Sequence, residues 1–419
     1  MNRLRLHVAI LARAVHPLHG VGGLERSVDD LVRHLLEAGL EITLITKPPD
    51  SGGDVTDWLG QDNLHTQFVP YRTFPFAGRR GTTVLDRITA YPIFGWRAGR
   101  AAYRLVEQGG IHLVHGHGVS ALGYANARRH DRISTVPFVF NPHGLEEFGA
   151  TDPTRARLKR FAYRPLQAAV RHCARAADRV LATDRVLIPP VLRYLPVTEE
   201  QLCVVPNAVD VKRLDAAYDK AADDEALAVH GVDSGVPILL SVGRLERNKG
   251  FHVLARGLAR LRAAQPEVCW RWMIIGSGPY GKELRRIVRS LSLDERVTFL
   301  GRIPDRDLYA WYRVSTLFVH PTLYEGSSLV TLEAMTHSLP VVATRAGGLP
   351  DKVKPGVTGW LVEPNDVNGL ARAVGEALRQ GPRLPAMGRA GRALVEREFA
   401  WTTVTQRLLG VYDELFVGR

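Results

Sequence analysis

The sequence predicts an α/β protein built as two tandem Rossmann-like, doubly wound domains with an interdomain cleft. Three observations lead there. A chain of 419 residues is long for one domain when domains average roughly 150 residues. Short β-rich runs alternate with amphipathic segments, a β-α-β rhythm that builds a parallel sheet with helices on both faces. The rhythm stops over a polar stretch at 211–235 and then starts again.

In the first series, Leu6 to Leu11, Glu41 to Thr46, Ile111 to His115, Phe138 to Asn141, Arg179 to Ala182 and Leu202 to Val205 read as strands. Leu24, Val28, Leu31, Val32 and Leu35 recur at helical spacing and give one apolar face. Residues 211–235, with Ala, Asp and Lys and little apolar alternation, read as an interdomain connection. In the second series the strands are Ile238 to Val242, Trp272 to Ile275, Val297 to Leu300, Leu317 to Val319 and Val341 to Ala343. Its helices are Phe251 to Leu261, Lys282 to Leu291 and Ser328 to His337. The expected domains are 1–210 and 236–395, followed by a terminal segment over 396–419. Ligands of such sheets sit beyond the carboxyl ends of the strands, so the residues just after each strand are the place to look for chemistry.

Composition sets limits on what the chain can be. With 45% hydrophobic and 23% charged residues it matches a globular enzyme, neither disordered nor collagen-like. His7 and Arg13 interrupt the first apolar run, so Leu4 to Leu11 reads as a buried strand and not as a signal peptide. No run approaches the ~20 apolar residues that span a bilayer. Cys173, Cys203 and Cys269 are odd in number and far apart, which fits core positions in a reducing cytoplasm.

The net charge of +12 points to an anionic partner or substrate. Arg155, Arg157, Lys159, Arg160 and Arg164 lie beside Phe161, Tyr163 and Leu166. Phe74, Phe76, Ile93, Phe94 and Trp96 are interleaved with Arg79, Arg80, Arg87, Arg97, Arg100 and Arg104. Such stretches suit either an interfacial helix on an anionic leaflet or a solvated helix face, and both readings stand.

Several loops carry candidate chemistry. Gly20-Val21-Gly22-Gly23 precedes a helix opening near Leu24, where glycines allow close approach and unpaired amides favour an anion. After the first strand of the second series come Gly243, Arg244 and, five residues on, Lys249, a fork and a point charge suited to a diphosphate. Gly276-Ser277-Gly278-Pro279 forms another tight turn. In the run His320 to Met335, Glu325 ends a loop, Gly326, Ser327 and Ser328 open a helix, and Glu333 follows two turns later. One acid can accept hydrogen bonds from sugar hydroxyls and the other can hold a ribose diol, with the helix N-terminus between them facing phosphates.

Taken in order, the glycine loop, NPHG at 141–144, VPNAVD at 205–210, SVGRLERNKG at 241–250, GSGP, the Glu325 and Glu333 pair and AGGLPD at 346–351 resemble the retaining GT-B glycosyltransferases of the family 4 type (glycosyl transferases group 1). The resemblance runs from about Gly20 to Glu363 and is strongest in the second half. It implies that Arg244 and Lys249 hold the donor diphosphate, Glu333 the ribose, and Glu325 the hydroxyls of the transferred sugar. Gly243, Gly276, Gly278 and the amides of Gly326, Ser327, Ser328 and Leu329 would complete the donor site, with Arg302 and Ile303 near the base. Gly22 and Gly23 would close on the phosphates from the first domain, His143 would sit near the anomeric centre, and His117 and Asn207 would lie on the acceptor side. It further implies that the last helix, Trp401 to Phe416, crosses back onto the first domain. Pro206-Asn207-Ala208 departs from the family's common PNG. Arg302-Ile303 does not choose between a UDP- and a GDP-linked donor.

The implied reaction is hexosyl transfer from a nucleotide sugar to a glycan or lipid-linked acceptor with retention at the anomeric carbon. No cofactor or metal is required on this reading, because Arg244, Lys249 and helix dipoles supply the positive charge. Asp305-Arg306-Asp307 reads as helix capping, and His115 and His117 as lining the acceptor side or ending a strand. The expected location is cytoplasmic, with peripheral contact to an anionic inner leaflet and no nucleic-acid partner, since no reader motif accompanies the charge. A dehydrogenase is excluded by the glycine spacing. A catalytically silent glycan- or nucleotide-binding partner subunit of the same fold is the alternative.

Overall fold

A computed structural model describes residues 6–20, 22–49, 56–73, 82–130, 136–143, 145–149, 161–229 and 235–417. The chain divides into two compact units, one formed by 1–207 with 401–419 and the other by 208–400.

The first unit holds a seven-stranded sheet in the order β3-β2-β1-β4-β5-β6-β7. Its strands are β1 (His7–Leu11), β2 (Glu41–Thr46), β3 (Leu64–Phe68), β4 (Leu113–His117), β5 (Phe138–Asn141), β6 (Arg179–Ala182) and β7 (Leu202–Val204). All neighbours pair in parallel, with Val8 opposite Leu113 and His117 opposite Asn141. The second unit holds six parallel strands in the order β10-β9-β8-β11-β12-β13: β8 (Ile238–Val242), β9 (Arg271–Ile275), β10 (Val297–Gly301), β11 (Leu317–His320), β12 (Val341–Thr344) and β13 (Gly359–Val362). Strand order reverses between β1 and β4 in one sheet and between β8 and β11 in the other. The loops leaving adjacent strands there diverge to opposite faces and open a crevice at the carboxyl end.

Parallel strands covered on both faces read as continuous apolar runs, and Val8, Ala9, Ile10 and Leu11 are all fully buried. Val8, Ile10 and Leu11 each contribute roughly 1.5–3 kcal/mol. The first helix, Gly23–Glu37, buries Val28, Leu31, Val32 and Leu35, whereas Leu24 is exposed. Against it lies the last helix, Trp401–Glu414, with Trp401 stacked on His34 at 5.5 Å.

Some sequence expectations change. Residues 211–229 fold into the second unit as helices Val211–Ala216 and Lys220–Val229. They lack apolar alternation because charge helps to dock them: Asp210 caps the first, Asp223 pairs with Arg313 at 2.7 Å, and Asp219 with Arg306 at 2.6 Å. Strands β3 and β13 were not expected. β3 is an edge strand with the polar pattern LHTQF, which carries no apolar run. Cys269 is exposed and Cys203 half-buried, so only Cys173 is a core thiol. Asp305 and Asp307 lie in the first turn of a helix whose cap position is Pro304, so they face its positive end without capping it.

Of the basic-aromatic stretches, Phe94, Tyr163 and Leu166 are core residues, while Ile93, Trp96 and Phe161 are exposed. Phe74, Phe76, Arg79, Arg80, Arg155, Arg157, Lys159 and Arg160 lie outside the described residues, as do Leu4, Val21 and Gly144. Among the described residues no helix is long and apolar enough to cross a membrane.

Candidate functional site

In the second unit the loops after β8 and β9 stack backbone on backbone. Gly276 has φ +136°, and a Cβ there would sit 1.9 Å from the carbonyl oxygen of Gly243. Gly278 packs over Leu245, where a Cβ would sit 2.4 Å from the carbonyl oxygen, and the Leu245 amide donates to Ser277 O at 3.0 Å. Gly250, at φ +70°, ends the short turn Arg247–Lys249 and opens the helix Phe251–Ala264. A Cβ there would meet Pro321 O at 1.9 Å, so only glycine lets the two loops approach. The amide of Leu323 donates to Asn248 O at 2.7 Å, which ties the β8 loop to the β11 loop.

That contact delivers Lys249 to Glu325. The ammonium lies 2.7 Å from Glu325 Oε2, and His320 Nε2, at the end of β11, lies 2.9 Å from the same oxygen. Burial raises the carboxyl pKa, but Lys249 and then His320 outweigh it and hold Glu325 down to about 2. Burial lowers the His320 pKa against the pull of Glu325, so the imidazole is neutral and its Nε2–H donates to the carboxylate. One fixed cation, one fixed anion and a neutral imidazole thus share the switch-point crevice of this sheet.

The helix Leu329–Thr336 follows, capped by Ser328, whose Oγ accepts from Thr331 N. Glu333 stands in its second turn and accepts from the Tyr312 hydroxyl at 3.0 Å. Glu325 itself lies in the loop ahead of the helix. That loop is clamped from the AGGLPD segment: Gly348 N–H donates to Gly326 O at 2.9 Å, and the fully buried Lys352 ammonium donates to Ser327 Oγ at 3.1 Å.

Lys352, His320 and Tyr312 received no role from the sequence. His320 could have been found as the residue ending the strand before Glu325. Lys352 is one residue beyond the motif that flags it. Arg244 does not join the Lys249–Glu325 pair; it is exposed and pairs with Glu246 at 2.7 Å. Arg302 is exposed after β10, and Ile303 packs against the core.

In the first unit, β4 places His115 and His117 two residues apart, hence on one face of the sheet. Their rings stack at 4.6 Å, and His143, just past β5, stacks on His117 at 5.2 Å. His117 Nδ1 and His143 Nε2 are 3.2 Å apart, and at the other end of the ladder His115 Nδ1 meets the Tyr412 hydroxyl at 2.7 Å. Burial pushes the pKa of His115 down to about 3 and of His143 to about 4, and that of His117 far below its ordinary value. All three are neutral at physiological pH.

His143 has φ +61°, a conformation costing a non-glycine residue about 1–2 kcal/mol, and the Asn141 side chain steadies it by accepting its amide at 2.9 Å. Gly22 is the N-cap of the helix that Gly23 begins. Asn207 accepts from Ser27 Oγ at 3.5 Å on that same helix.

Two doubly wound parallel sheets, each with candidate polar groups at its switch point, define the class of two-domain GT-B proteins. Residues 21–213 match the model of the family Glycosyltransferase Family 4, and residues 236–380 that of Glycosyl transferases group 1; the chain belongs to these glycosyltransferases. Over 216 residues it is 35% identical to a GDP-mannose-dependent monoacylated alpha-(1-6)-phosphatidylinositol monomannoside mannosyltransferase of Corynebacterium glutamicum, a match spanning 49% of this chain and 55% of that protein. Over 432 residues it is 28% identical to a D-inositol 3-phosphate glycosyltransferase of Pseudarthrobacter chlorophenolicus, covering 97% of this chain and 94% of the relative. Among solved structures, a sucrose-phosphate synthase of Thermosynechococcus elongatus superposes with a TM-score of 0.76 at 25% identity, covering 99% of this chain and all of that one.

Proposed function

We propose that the protein transfers a hexosyl group from a nucleoside diphosphate sugar to a glycan or lipid-linked acceptor, with retention of anomeric configuration. The observation that carries this reading is the Lys249–Glu325–His320 cluster at the switch point of the second sheet. In an empty site Lys249 is balanced by Glu325. When a diphosphate enters, the ammonium turns its charge to the β-phosphate and neutralises the leaving group, while Glu325 accepts hydrogen bonds from sugar hydroxyls. The amides of Gly326 to Leu329 support the phosphates, and Glu333, steadied by Tyr312, takes the ribose diol. Gly276 and Gly278 act by letting the loops close-pack, and Gly243 supplies the carbonyl over which Gly276 lies. Arg244 swings from Glu246 to the diphosphate. Arg302 and Ile303 border the base. From the first unit, neutral His143 hydrogen-bonds the sugar near its anomeric carbon, Gly22 and Gly23 approach the phosphates, and His117 and Asn207 serve the acceptor side.

The relatives' substrates are those to test first: GDP-mannose as donor, and inositol phosphate or a phosphatidylinositol glycolipid as acceptor. Exposed Ile93, Trp96 and Phe161 next to basic residues suit peripheral docking on an anionic leaflet, where a lipid-linked acceptor would be met. The test is incubation with GDP-mannose or UDP-hexoses and either acceptor, with the product linkage read by NMR. A product that keeps the donor's anomeric configuration is expected; an inverted product, or donor consumption without transfer to any sugar or lipid acceptor, overturns the proposal.

A further inference from the structure

The opposite, amino-terminal edge of the first sheet carries a second polar cluster that glycosyl transfer does not use. His7 opens β1, Glu41 opens β2, and His65 is the second residue of β3. Register puts His7 beside Glu41 and Thr43 beside His65, so all four side chains stand on one face. Glu41 Oε1 lies 2.8 Å from His65 Nε2 and 3.6 Å from His7 Nδ1, and the three atoms lie within 4.8 Å of one another. Metal bonds of about 2.0–2.1 Å separate tetrahedral ligand atoms by about 3.3 Å, so a small turn of the exposed His65 ring suffices.

We propose that His7, Glu41 and His65 form a binding site for a divalent transition metal ion of the zinc type, completed by water. The surroundings fit a ligand set. His7 Nε2 and Thr43 Oγ1 share a hydrogen bond at 2.7 Å in which either atom can donate; with the hydroxyl accepting, the ring turns an Nδ1 lone pair toward Glu41, the tautomer a bound ion would select. Ligating histidines are commonly oriented this way by a hydrogen bond from the other ring nitrogen. The backbone of His7 is itself held by the residue just before β4, donating its amide to His112 Nδ1 at 2.9 Å and accepting from His112 N at 2.9 Å. Two imidazoles and a carboxylate favour zinc, cobalt or nickel over magnesium or calcium. The ion would pin the edge strand β3 to β2 and β1, a structural role on the far side of the sheet from His117 and His143.

The experiment compares the full-length protein with the double variant Glu41→Gln/His65→Ala, both residues being partly exposed, so that the variant folds. Melting without metal checks this. Each protein is titrated with Co2+ and followed by visible absorption, then melted with and without excess Zn2+. The wild type should bind one more equivalent of Co2+ than the variant, with ligand-field bands and no thiolate charge transfer, at least tenfold more tightly than any remaining site. Zn2+ should raise the melting temperature of the wild type by several degrees and leave the variant unmoved. The three cysteines are common to both proteins, so metal bound by thiols cancels. Identical titrations and identical melting shifts in the two proteins would overturn the assignment.

Discussion

The carboxyl edges of the two sheets solve the same topological problem with opposite electrostatics. At the switch point of the second sheet, a half-buried ammonium faces a carboxylate that is held ionised, with the pKa of Glu325 pushed down to about 2. In the first sheet the corresponding strand ends carry three stacked imidazoles that burial keeps neutral. A site for a dianionic diphosphate needs fixed charge, which the protein maintains by pairing it. A site for an uncharged sugar needs hydrogen-bonding groups that add no charge, and desolvation supplies those. The contrast suits the charged edge of the second sheet to an anionic ligand and the neutral edge of the first to an uncharged one.

Substitutions break or sharpen that contrast to different degrees. The largest effect is expected at Lys249: Lys249→Ala should lower kcat about 10²–10³-fold, as loss of a leaving-group stabiliser does, and a rate within threefold of wild type would remove the charge from the mechanism. Next is Gly276→Ala, whose new Cβ would strike Gly243 O in a backbone conformation that L residues avoid. It should cost about 2–3 kcal/mol in urea unfolding and loosen the Lys249 loop with it.

The neutral ladder gives a graded response, read as a slope per pH unit. Unfolded histidine takes a proton near pH 6.5, whereas folded His115 resists until about 3, so the unfolded state binds more protons throughout that window. Stability therefore falls as pH drops below 6.5, by up to about 1.4 kcal/mol per pH unit for this residue. His115→Phe should flatten that slope; an unchanged slope would show that the ladder titrates freely. Glu325 adds the stabilisation of a depressed acid, complete above 4.5 and lost as pH falls toward 2. The smallest effect belongs to Arg244→Ala. Its exposed pair with Glu246 contributes about 0–1 kcal/mol, so melting should barely change while donor affinity drops.

These contrasts were unevenly legible in the sequence. The central strands were plain because burial on both faces leaves uninterrupted apolar runs such as ILLSV at 238–242. Edge strand β3 was hidden, since a strand with a solvated face shows polar residues. Register was hidden too: β4 starts two residues later than its apolar run suggested, so His115 and His117 lie inside the strand and stack. Glu325 and Lys249 were found through motifs, but their 2.7 Å pairing depends on Gly250 allowing two loops to touch, which no spacing reports. Buried Lys352 received no role from the sequence because its partner Ser327, 25 residues earlier, comes close only in the fold. Arg244 faces solvent paired with Glu246, a partner its motif does not indicate.

The central claim is that the charged cluster of the second unit holds a nucleoside diphosphate. Calorimetric titration of the wild type and of Lys249→Ala with GDP, UDP and ADP, without added metal, tests it most directly. The account predicts binding of one nucleotide by the wild type and at least a tenfold loss in the variant. Failure of the wild type to bind any of the three, or equal affinity in both proteins, would contradict it.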